Sequence, residues 1–553
     1  MLLTQAKAYG VDLQLTGENV KEIVDLCASL DGLPLALQEA VRCLHTLGIA
    51  EVAGHLFARF SAAATLPAAV AERRASLAAS IAWSVEQLPP QQQCLLGRLA
   101  VFCGSFSPHA AHAICCTGAM LEGLSEEDIA ADLGQIAAHS LLVTRLSGAT
   151  LRYVMFNTTR AYASARMVAA GDIASLRRRH ADYFVNVIDI GDTHVPPDAA
   201  RLARIEVEYD NLLAALTWSV EQGDATVALR LTTSLWRFWE LQGDYREGLA
   251  WFERALALSA TEDELRARAL ACAGALARNQ SQYSAAERCF STALAIYRQL
   301  DDKQGIARML NSLGTVAYFH DALAATNYFE AALELHRELN NPRDMAGALN
   351  NLALLAEGQG DYLRAAMLHR QALEHFQALG EDANTAYVLG NLGVVAEHSG
   401  DMDTAVEYYR QSLDLHERIG EKWGMAAMLT NLGSTLDRLQ RVDEALPLLI
   451  EGLNLFDELG DSAGVAQALG ALACNADRRE AYQDGVQFLA AAERIESETG
   501  YVLPAFDQEE RQALHIRLRD ALGADAYNAT WQTVYTLPLA SLLPALPGIK
   551  ENR

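Results

Sequence analysis

Two kinds of polar residue recur along the chain at intervals of about forty positions. One is a column of asparagines and the other a column of carboxylates six residues further on: Asn351, Asn391, Asn431, and Glu357, Glu397, Asp437. Asparagine can donate to and accept from an extended peptide backbone, and a wall of carboxylates attracts a basic or amphipathic segment. These six residues are therefore the predicted partner-binding site. The alternative is that the asparagines bond the neighbouring helix and the carboxylates only stay hydrated.

The remaining reactive side chains lack the patterns that catalysis or metal binding requires. There is no Cys/His dyad, HExxH or CxxC motif. His109 and His112 lie close to Cys115 and Cys116, a soft-metal spacing on a helix. However, Pro108 marks an ordinary helix start, and no second ligand pair follows. We predict a non-catalytic protein with no cofactor and no metal.

A repeat of about forty residues must position the two columns. The leucines Leu313, Leu352, Leu392 and Leu432 are spaced 39, 40 and 40 residues apart. Apolar residues recur at three- and four-residue steps in both halves of each unit, which predicts two helices per unit. Gly-Asp pairs such as Gly360-Asp361 supply the turn, because glycine tolerates a left-handed backbone and aspartate caps the next helix. A fixed period of this size is typical of a stacked solenoid.

Small residues and rings alternate along the second helix of each unit. The small column is Ala286, Ala325, Ala365, Ala405 and Ala445, and the larger residues four positions on are Phe290, Phe329, His369, Tyr409 and Leu449. A further column holds Tyr297, His336, Phe376, His416 and Phe456, which predicts a packing slot for its two histidines. Together with Leu-Gly in the first helix, this pattern resembles the tetratricopeptide repeat, whose usual period is about 34 residues. HEAT and armadillo repeats, of about 40–47 residues, are the alternative. The resemblance implies that the first helices line the concave face and carry the asparagines and carboxylates there.

The N-terminal part resembles a different module. Gly32–Leu37 reads GLPLAL, similar to the GLPLA motif in the small helical domain of NB-ARC-type signal-transduction ATPases. That family binds nucleotide with a G-x4-G-K-[ST] loop, yet the dipeptide Gly-Lys occurs nowhere in this chain. The sequence therefore resembles such a protein without its nucleotide-binding core, either as part of a longer protein or as a shortened gene product.

Residues 63–170 resemble the winged-helix domain that follows in the same family. The similarity is carried by Trp83, Leu88-Pro89, Leu95, Leu99, Val101-Phe102 and Phe106, which are expected in the core. A helix is predicted from Glu126 to Ser140, and then a hairpin around Ser147-Gly148. The helix that would read DNA carries four acids, including Asp132, and no Lys or Arg. DNA binding through it is therefore only a third hypothesis.

The predicted organisation is a helical remnant (1–62), a winged-helix domain (63–170), a helical bridge (171–224), seven repeats (225–500) and a helical cap (501–553). Residues 1–180 hold 14 Lys and Arg against 15 Asp and Glu, whereas residues 181–553 hold 30 against 55. So acidic an array repels nucleic acid. No apolar run is long enough to span a membrane, the first residues lack a signal-peptide pattern, and the scattered cysteines suit reduced thiols, so we expect a cytoplasmic protein.

The function these features predict is that of a sensor or scaffold arm in a bacterial signal-transduction or transcriptional regulator. Its array would bind a protein, peptide or small inducer in the groove. A freestanding tetratricopeptide adaptor is the alternative, and self-association stays open.

Overall fold

Helices make up most of the backbone that the structure describes. The computed structural model describes residues 19–64, 77–188, 199–499 and 505–547, except positions 45, 119, 149, 171, 172, 259, 539 and 540, together with a few positions before residue 19. The predicted all-α, tetratricopeptide-like fold with one short hairpin is confirmed. A search of the described helices for one long and apolar enough to cross a membrane finds none. The chain divides into two compact units, Met1–Ile296 and Tyr297–Arg553.

The first unit contains short helices, one hairpin and the earliest helix pairs. Its elements are α1 Val20–Ser29, α2 Pro34–Cys43, α3 Ile49–Ala64, α4 Leu77–Glu86, α5 Pro90–Leu99, α6 Pro108–Cys115, α7 Glu126–Ala138, β1 Val143–Ser147, β2 Thr150–Val154, α8 Asn157–Ala170, α9 Ile173–Ile188, α10 Ala199–Glu221, α11 Ala225–Gln242, α12 Tyr245–Leu256, α13 Glu264–Asn279 and α14 Tyr283–Gln299, which contains the unit boundary. The predicted hairpin is present, because β1 pairs antiparallel with β2 across Ser147-Gly148. Phe106 exchanges two backbone hydrogen bonds of 2.9 Å with Tyr153 of β2.

The expected core of the winged-helix segment is correct except at two positions. Leu88, Leu95, Leu99, Val101, Phe102 and Phe106 are buried. Trp83 is 64% exposed, so its assignment to the core was wrong. α4 turns Ile81, Ala82 and Val85 inward, and position 83 therefore falls on the opposite face. Pro89 is exposed as well.

Two further expectations about this segment are refined. α7 ends at Ala138, two residues before the predicted end at Ser140, whose φ is 60°. Asp132 is buried and accepts from Gln91 and Gln92 at 2.8 Å, so α7 packs through one of its acids. Positions 65–76 and 189–198, within the predicted winged helix and bridge, lie outside the described residues.

The second unit is a row of helix pairs followed by two further helices. Its elements are α15 Lys303–Ala317, α16 Ala322–Glu338, α17 Pro342–Gly358, α18 Tyr362–Leu379, α19 Asp382–His398, α20 Met402–Ile419, α21 Lys422–Arg438, α22 Val442–Glu458, α23 Ser462–Arg478, α24 Tyr482–Thr499, α25 Ala505–Leu522 and α26 Ala524–Tyr535. The predicted Gly-Asp turns are present. Gly360 and Gly400 have φ of 78° and 84°, and the carboxylates of Asp361 and Asp401 cap α18 and α20.

The Leu-Gly glycines make room for the large residues of the second helices. A Cβ at Gly314 would lie 2.5 Å from the Phe329 ring, and one at Gly393 would lie 2.5 Å from the Tyr409 ring. Position 353 carries alanine instead, and the ring of that repeat is the smaller imidazole of His369. The alanine column is fully buried throughout. The predicted small–large register is therefore confirmed in physical detail.

Candidate partner-binding groove

The carboxylate column lies on three consecutive first helices, with Glu357 on α17, Glu397 on α19 and Asp437 on α21. Two of the three are held in ion pairs with an arginine of the next first helix. Glu397 Oε1 lies 2.6 Å from Arg438 Nη1. Asp437 pairs with Arg478 Nη1. The partners are 41 residues apart in both cases, one position more than a repeat.

The pairing continues beyond the residues that the sequence analysis named. Asp477, the next member of the carboxylate column, accepts from Arg517 Nε of α25 at 2.7 Å. We call the run Glu397–Arg438, Asp437–Arg478 and Asp477–Arg517 the acid–arginine ladder. The prediction of an unneutralised acidic wall is wrong at Glu397 and Asp437, because each charge is balanced within the array. Hydration alone does not describe them either, since the Asp437 side chain is only 2% exposed.

Glu397 and Asp437 also accept hydrogen bonds from neutral groups. Tyr409 Oη donates to Glu397 at 3.0 Å, and Thr435 donates to the same oxygen at 3.2 Å. Asn475, fully buried, donates to Asp437 at 2.9 Å. Burial nevertheless raises the pKa of Asp437, with Arg478 acting in the opposite direction. Both carboxylates are structural parts of the stack.

Glu357 differs from the other acids of the column. The residue 41 positions on is His398, which stacks on Tyr362 with ring centroids 5.4 Å apart. Among the described residues, Glu357 has neither an ion pair nor a side-chain hydrogen bond. Burial raises its pKa to about 7. Of the three predicted acids, this one has a charge that a partner could still engage.

The asparagine column shows a similar break. Asn351 Nδ2 donates to Asn311 Oδ1 at 3.1 Å, and Asn391 Nδ2 donates to Asn350 Oδ1 at 3.2 Å. The alternative that asparagines bond the neighbouring helix therefore holds for these two. Asn431 makes no such bond: the position equivalent to Asn350 is Gly390, and Asn391, the counterpart of Asn311, does not accept from it. In the described part of the chain its side chain has no hydrogen-bond partner.

A cavity of about 350 Å³ opens at this break, between α19, α21 and α23. Gly390 and Asn431 lie in its lining, beside Tyr387 and Trp423, each 45% exposed. Trp423 Nε1 donates to Asp461 Oδ2 at 2.9 Å, which fixes the indole. Gly390 and the unpaired amide of Asn431 thus line the same cavity, and the end of the Met428 side chain lies 3.1 Å from where a Cβ at position 390 would be. We call this cavity the aromatic pocket.

A second cavity, of about 250 Å³, adjoins the aromatic pocket through Asn431 and Gln467, which line both. Its charged lining comprises Glu397, Asp437, Arg438, Arg478, Glu510 and Arg511. With three acids and three arginines, this part of the groove has no excess of either sign. The two cavities form a groove along the first helices, and α25 contributes its far wall.

The tetratricopeptide repeat family matches residues 344–418, which span nearly all of α17 to α20. The array is a tetratricopeptide-like solenoid. A Mycobacterium tuberculosis protein, named as a candidate HTH-type transcriptional regulator, is 32% identical over 325 residues, covering 56% of this chain and 36% of that protein. An uncharacterized M. tuberculosis protein is 24% identical over 180 residues, covering 32% of this chain and 45% of its own. The chain thus spans about a third of the length of the first relative and under half of the second.

A solved structure extends the likeness in fold. The crystal structure of a Pyrococcus horikoshii signal transduction ATPase with numerous domains, which carries a tetratricopeptide repeat sensor, matches 89% of this chain and 73% of its own. The TM-score is 0.54 at 12% sequence identity, so the similarity concerns the fold alone.

The arginines of the tetratricopeptide-like array were not among the predicted site residues. Arg438 and Arg478 stand directly after the carboxylate column, at the same forty-residue spacing, and Asp477 extends that column by one repeat. That periodicity could have revealed the ladder. Nothing in the spacing shows that each arginine bonds the preceding repeat and not its own. That preference is decided by the stacking of the helices.

No group of three or more metal-binding side chains lies together in the described residues. His109 bonds Glu126 at 3.0 Å, and Cys115 is buried, which raises the pKa of its thiol. One catalytic spacing escaped the sequence analysis, since Gly460–Gly464 reads Gly-x-Ser-x-Gly. A nucleophile elbow joins a strand to a helix, whereas this segment joins α22 to α23 and places Ser462 at the first helical position.

Proposed function

We propose that the chain is a sensor or scaffold arm of a bacterial regulatory protein, and that the groove of its second unit binds an extended segment of a protein partner. The tetratricopeptide match and the 32% identity to a candidate transcriptional regulator support this class. The observation that carries the proposal is the break in the asparagine column at Asn431. It leaves the Asn431 amide unpaired at the edge of the aromatic pocket.

The chemistry of the pocket favours a particular kind of segment. The unpaired amide of Asn431 can donate to and accept from a peptide group, and Gln467 offers a second exposed amide beside it. Tyr387 and Trp423 present exposed aromatic surface around a space that suits one large apolar side chain. Aromatic anchors of this sort carry much of the energy of many interfaces. We therefore propose a partner segment with one such anchor.

Glu357 indicates that the partner segment also carries a positive charge. It lies two first helices before Asn431, and it is the predicted carboxylate without an arginine in the described residues. A Lys or Arg of the partner would occupy the position that Arg438 and Arg478 take in the ladder. The proposed segment thus carries an apolar anchor and a separate cation. It is amphipathic, as the sequence predicts, but its basic part is a single Lys or Arg that faces Glu357.

Selection from a random peptide library displayed on phage tests the proposal. The wild-type chain is expected to enrich sequences with a large apolar residue and a Lys or Arg at a constant separation. Asn431→Ala and Trp423→Ala should reduce the affinity of the selected peptides about tenfold or more, the loss typical of an interface hot spot. Leu363→Ala, at an exposed position of a second helix, is the matched control and should bind as wild type does.

Two outcomes would contradict this function. One is the absence of any common sequence among the selected peptides. The other is equal binding by the wild-type and Asn431→Ala chains. A short apolar compound that binds the aromatic pocket without any peptide would favour the small-inducer alternative. The proposed non-catalytic role, the cytoplasmic location and the division into five segments remain predictions.

A further inference from the structure

A separate cavity of about 380 Å³ lies in the first unit, between α8, α9 and α10. Its lining includes the apolar side chains of Val101, Met167 and Trp218 and the polar side chains of Arg160, Arg177 and His180. The volume falls within the range of small-molecule sites, about 300–1,000 Å³. The proposed peptide groove does not involve this cavity.

We propose that this cavity binds a small organic carboxylate with a flat apolar body and a hydroxyl group. The carboxylate would face Arg177, the apolar body would pack against Trp218 and Met167, and the hydroxyl would bond His180. The site is independent of the peptide groove. It provides a place for an effector on helices that follow the hairpin.

His180 is the first observation that points to a ligand. Its side chain is 2% exposed, yet its Nε2 has no hydrogen-bond partner among the described residues. A buried polar atom without a hydrogen-bond partner destabilises the folded state. The ring is held between Phe102 and Phe184, with centroids 5.6 and 4.7 Å away. His180 is one of the residues that line the cavity, so this buried ring nitrogen lies beside the space in which a ligand would bind.

The protonation state of His180 defines which ligand group fits. Burial lowers the pKa of His180 to about 3; a side-chain hydrogen bond with Asn211 acts in the opposite direction, and the nearby charge of Arg177 lowers the pKa further. The imidazole is therefore neutral at physiological pH and carries no charge to attract an anion. A neutral ring nitrogen suits a hydroxyl group, which can either donate or accept.

The charges around the cavity favour an anion. Arg160 donates to the backbone oxygens of Phe102 at 3.1 Å and Cys103 at 2.8 Å, which position its guanidinium without neutralising it. Arg177 is exposed and has no ion pair within the described ranges. Glu221 is the single acid in the lining, against two arginines. Guanidinium groups match carboxylates in a planar, two-bond geometry, so a carboxylate is the expected anionic group.

The test uses 6-hydroxy-2-naphthoate as the probe and isothermal titration calorimetry on the full chain. The matched probes are its carboxamide, which lacks the charge, and 2-naphthoate, which lacks the hydroxyl. We expect the hydroxy acid to bind more tightly than either. Arg177→Gln should weaken the hydroxy acid about tenfold and leave the carboxamide unchanged. Arg145→Gln, on the exposed face of β1, is the control and should have no effect.

His180→Phe should remove the advantage of the hydroxy acid over 2-naphthoate. Circular dichroism checks that this buried substitution folds, and the surface variant Arg177→Gln keeps the proposal testable if it does not. No binding of the hydroxy acid to the wild-type chain would overturn the proposal. So would an affinity that is unchanged in Arg177→Gln, or a hydroxyl group that makes no difference to the wild-type protein.

Discussion

Arg478→Met isolates the buried pair of the acid–arginine ladder. The substitution keeps much of the aliphatic length of the side chain but removes the cation that pairs with Asp437. The Asp437 side chain is only 2% exposed, and its remaining partner is Asn475, at 2.9 Å. The variant therefore leaves a buried carboxylate with a single neutral hydrogen bond.

The expected loss of stability follows from this geometry. Removing one partner of a buried ion pair costs about 3–5 kcal/mol. The low end applies here, because Asn475 still donates and because Arg478, 31% exposed, leaves an opening for water. About 3 kcal/mol corresponds to a change of about 150-fold in the equilibrium for local opening. Arg517→Met is the matched control, since Arg517 is 53% exposed and removing a surface partner costs about 1 kcal/mol or less.

Hydrogen exchange with mass spectrometry measures the effect locally, on peptides from residues 422–478. This avoids treating a chain with two units as a two-state system. The pKa of Asp437 is already raised by burial, and without Arg478 it should rise further. The cost is then complete above the folded pKa and declines as the pH falls toward the unfolded value. Asp437→Asn combined with Arg478→Met should restore most of the protection.

Equal losses of protection in Arg478→Met and Arg517→Met would contradict this prediction. So would a loss of protection in Arg478→Met that is the same at pH 8 and pH 5 after correction for intrinsic exchange rates. Either result would mean that water solvates Asp437 in the folded array. The carboxylate would then be a surface charge, as the acidic-wall prediction assumed.

Three further predictions concern neighbouring positions of the array. Burial raises the pKa of Glu357 from 4.5 to about 7, so this buried carboxylate makes the array less stable as the pH rises from 4.5 to 7. Glu357→Gln should therefore raise the melting temperature relative to wild type at pH 8 but not at pH 4. An equal shift of the melting temperature at both pH values would refute this. Gly393→Ala should destabilise the array by about 1–3 kcal/mol, because the new methyl group would lie 2.5 Å from the Tyr409 ring. Gly347→Ala meets nothing within 4 Å and should stabilise the array by about 0.5–1 kcal/mol. Urea titration measures both changes, and stability changes of the same sign would contradict the packing argument. Ala405→Leu should cost about 1–3 kcal/mol by overfilling a fully buried column, and an unchanged melting temperature would show that the register is wrong.

Repeats, helices and turns could be predicted from the sequence because each depends on short-range geometry. The 3.6-residue period determines which face of a helix is apolar, and the left-handed turn requires residues such as Gly360. The small–large register could also be predicted, since Gly393 and Tyr409 recur in phase with their counterparts in other repeats. Trp83 shows the limit of this approach, because a family resemblance placed it in the core, whereas α4 directs it to the opposite, exposed face.

The charges and hydrogen bonds of the site depended on the tertiary structure. The sequence places His398, Arg438 and Arg478 directly after the carboxylate column, yet only the stacking of one first helix on the next shows that Arg438 and Arg478 pair with the carboxylates of the preceding repeat. Asn391 bonds Asn350, whereas Asn431 has Gly390 at the equivalent position and does not bond Asn391, the counterpart of Asn311. His180 meets its cavity only where α8, α9 and α10 come together. The sequence determined the period and the residue types. Which side chains pair depends on atoms about forty residues apart lying within about 3 Å of each other, and only the packed helices define that distance.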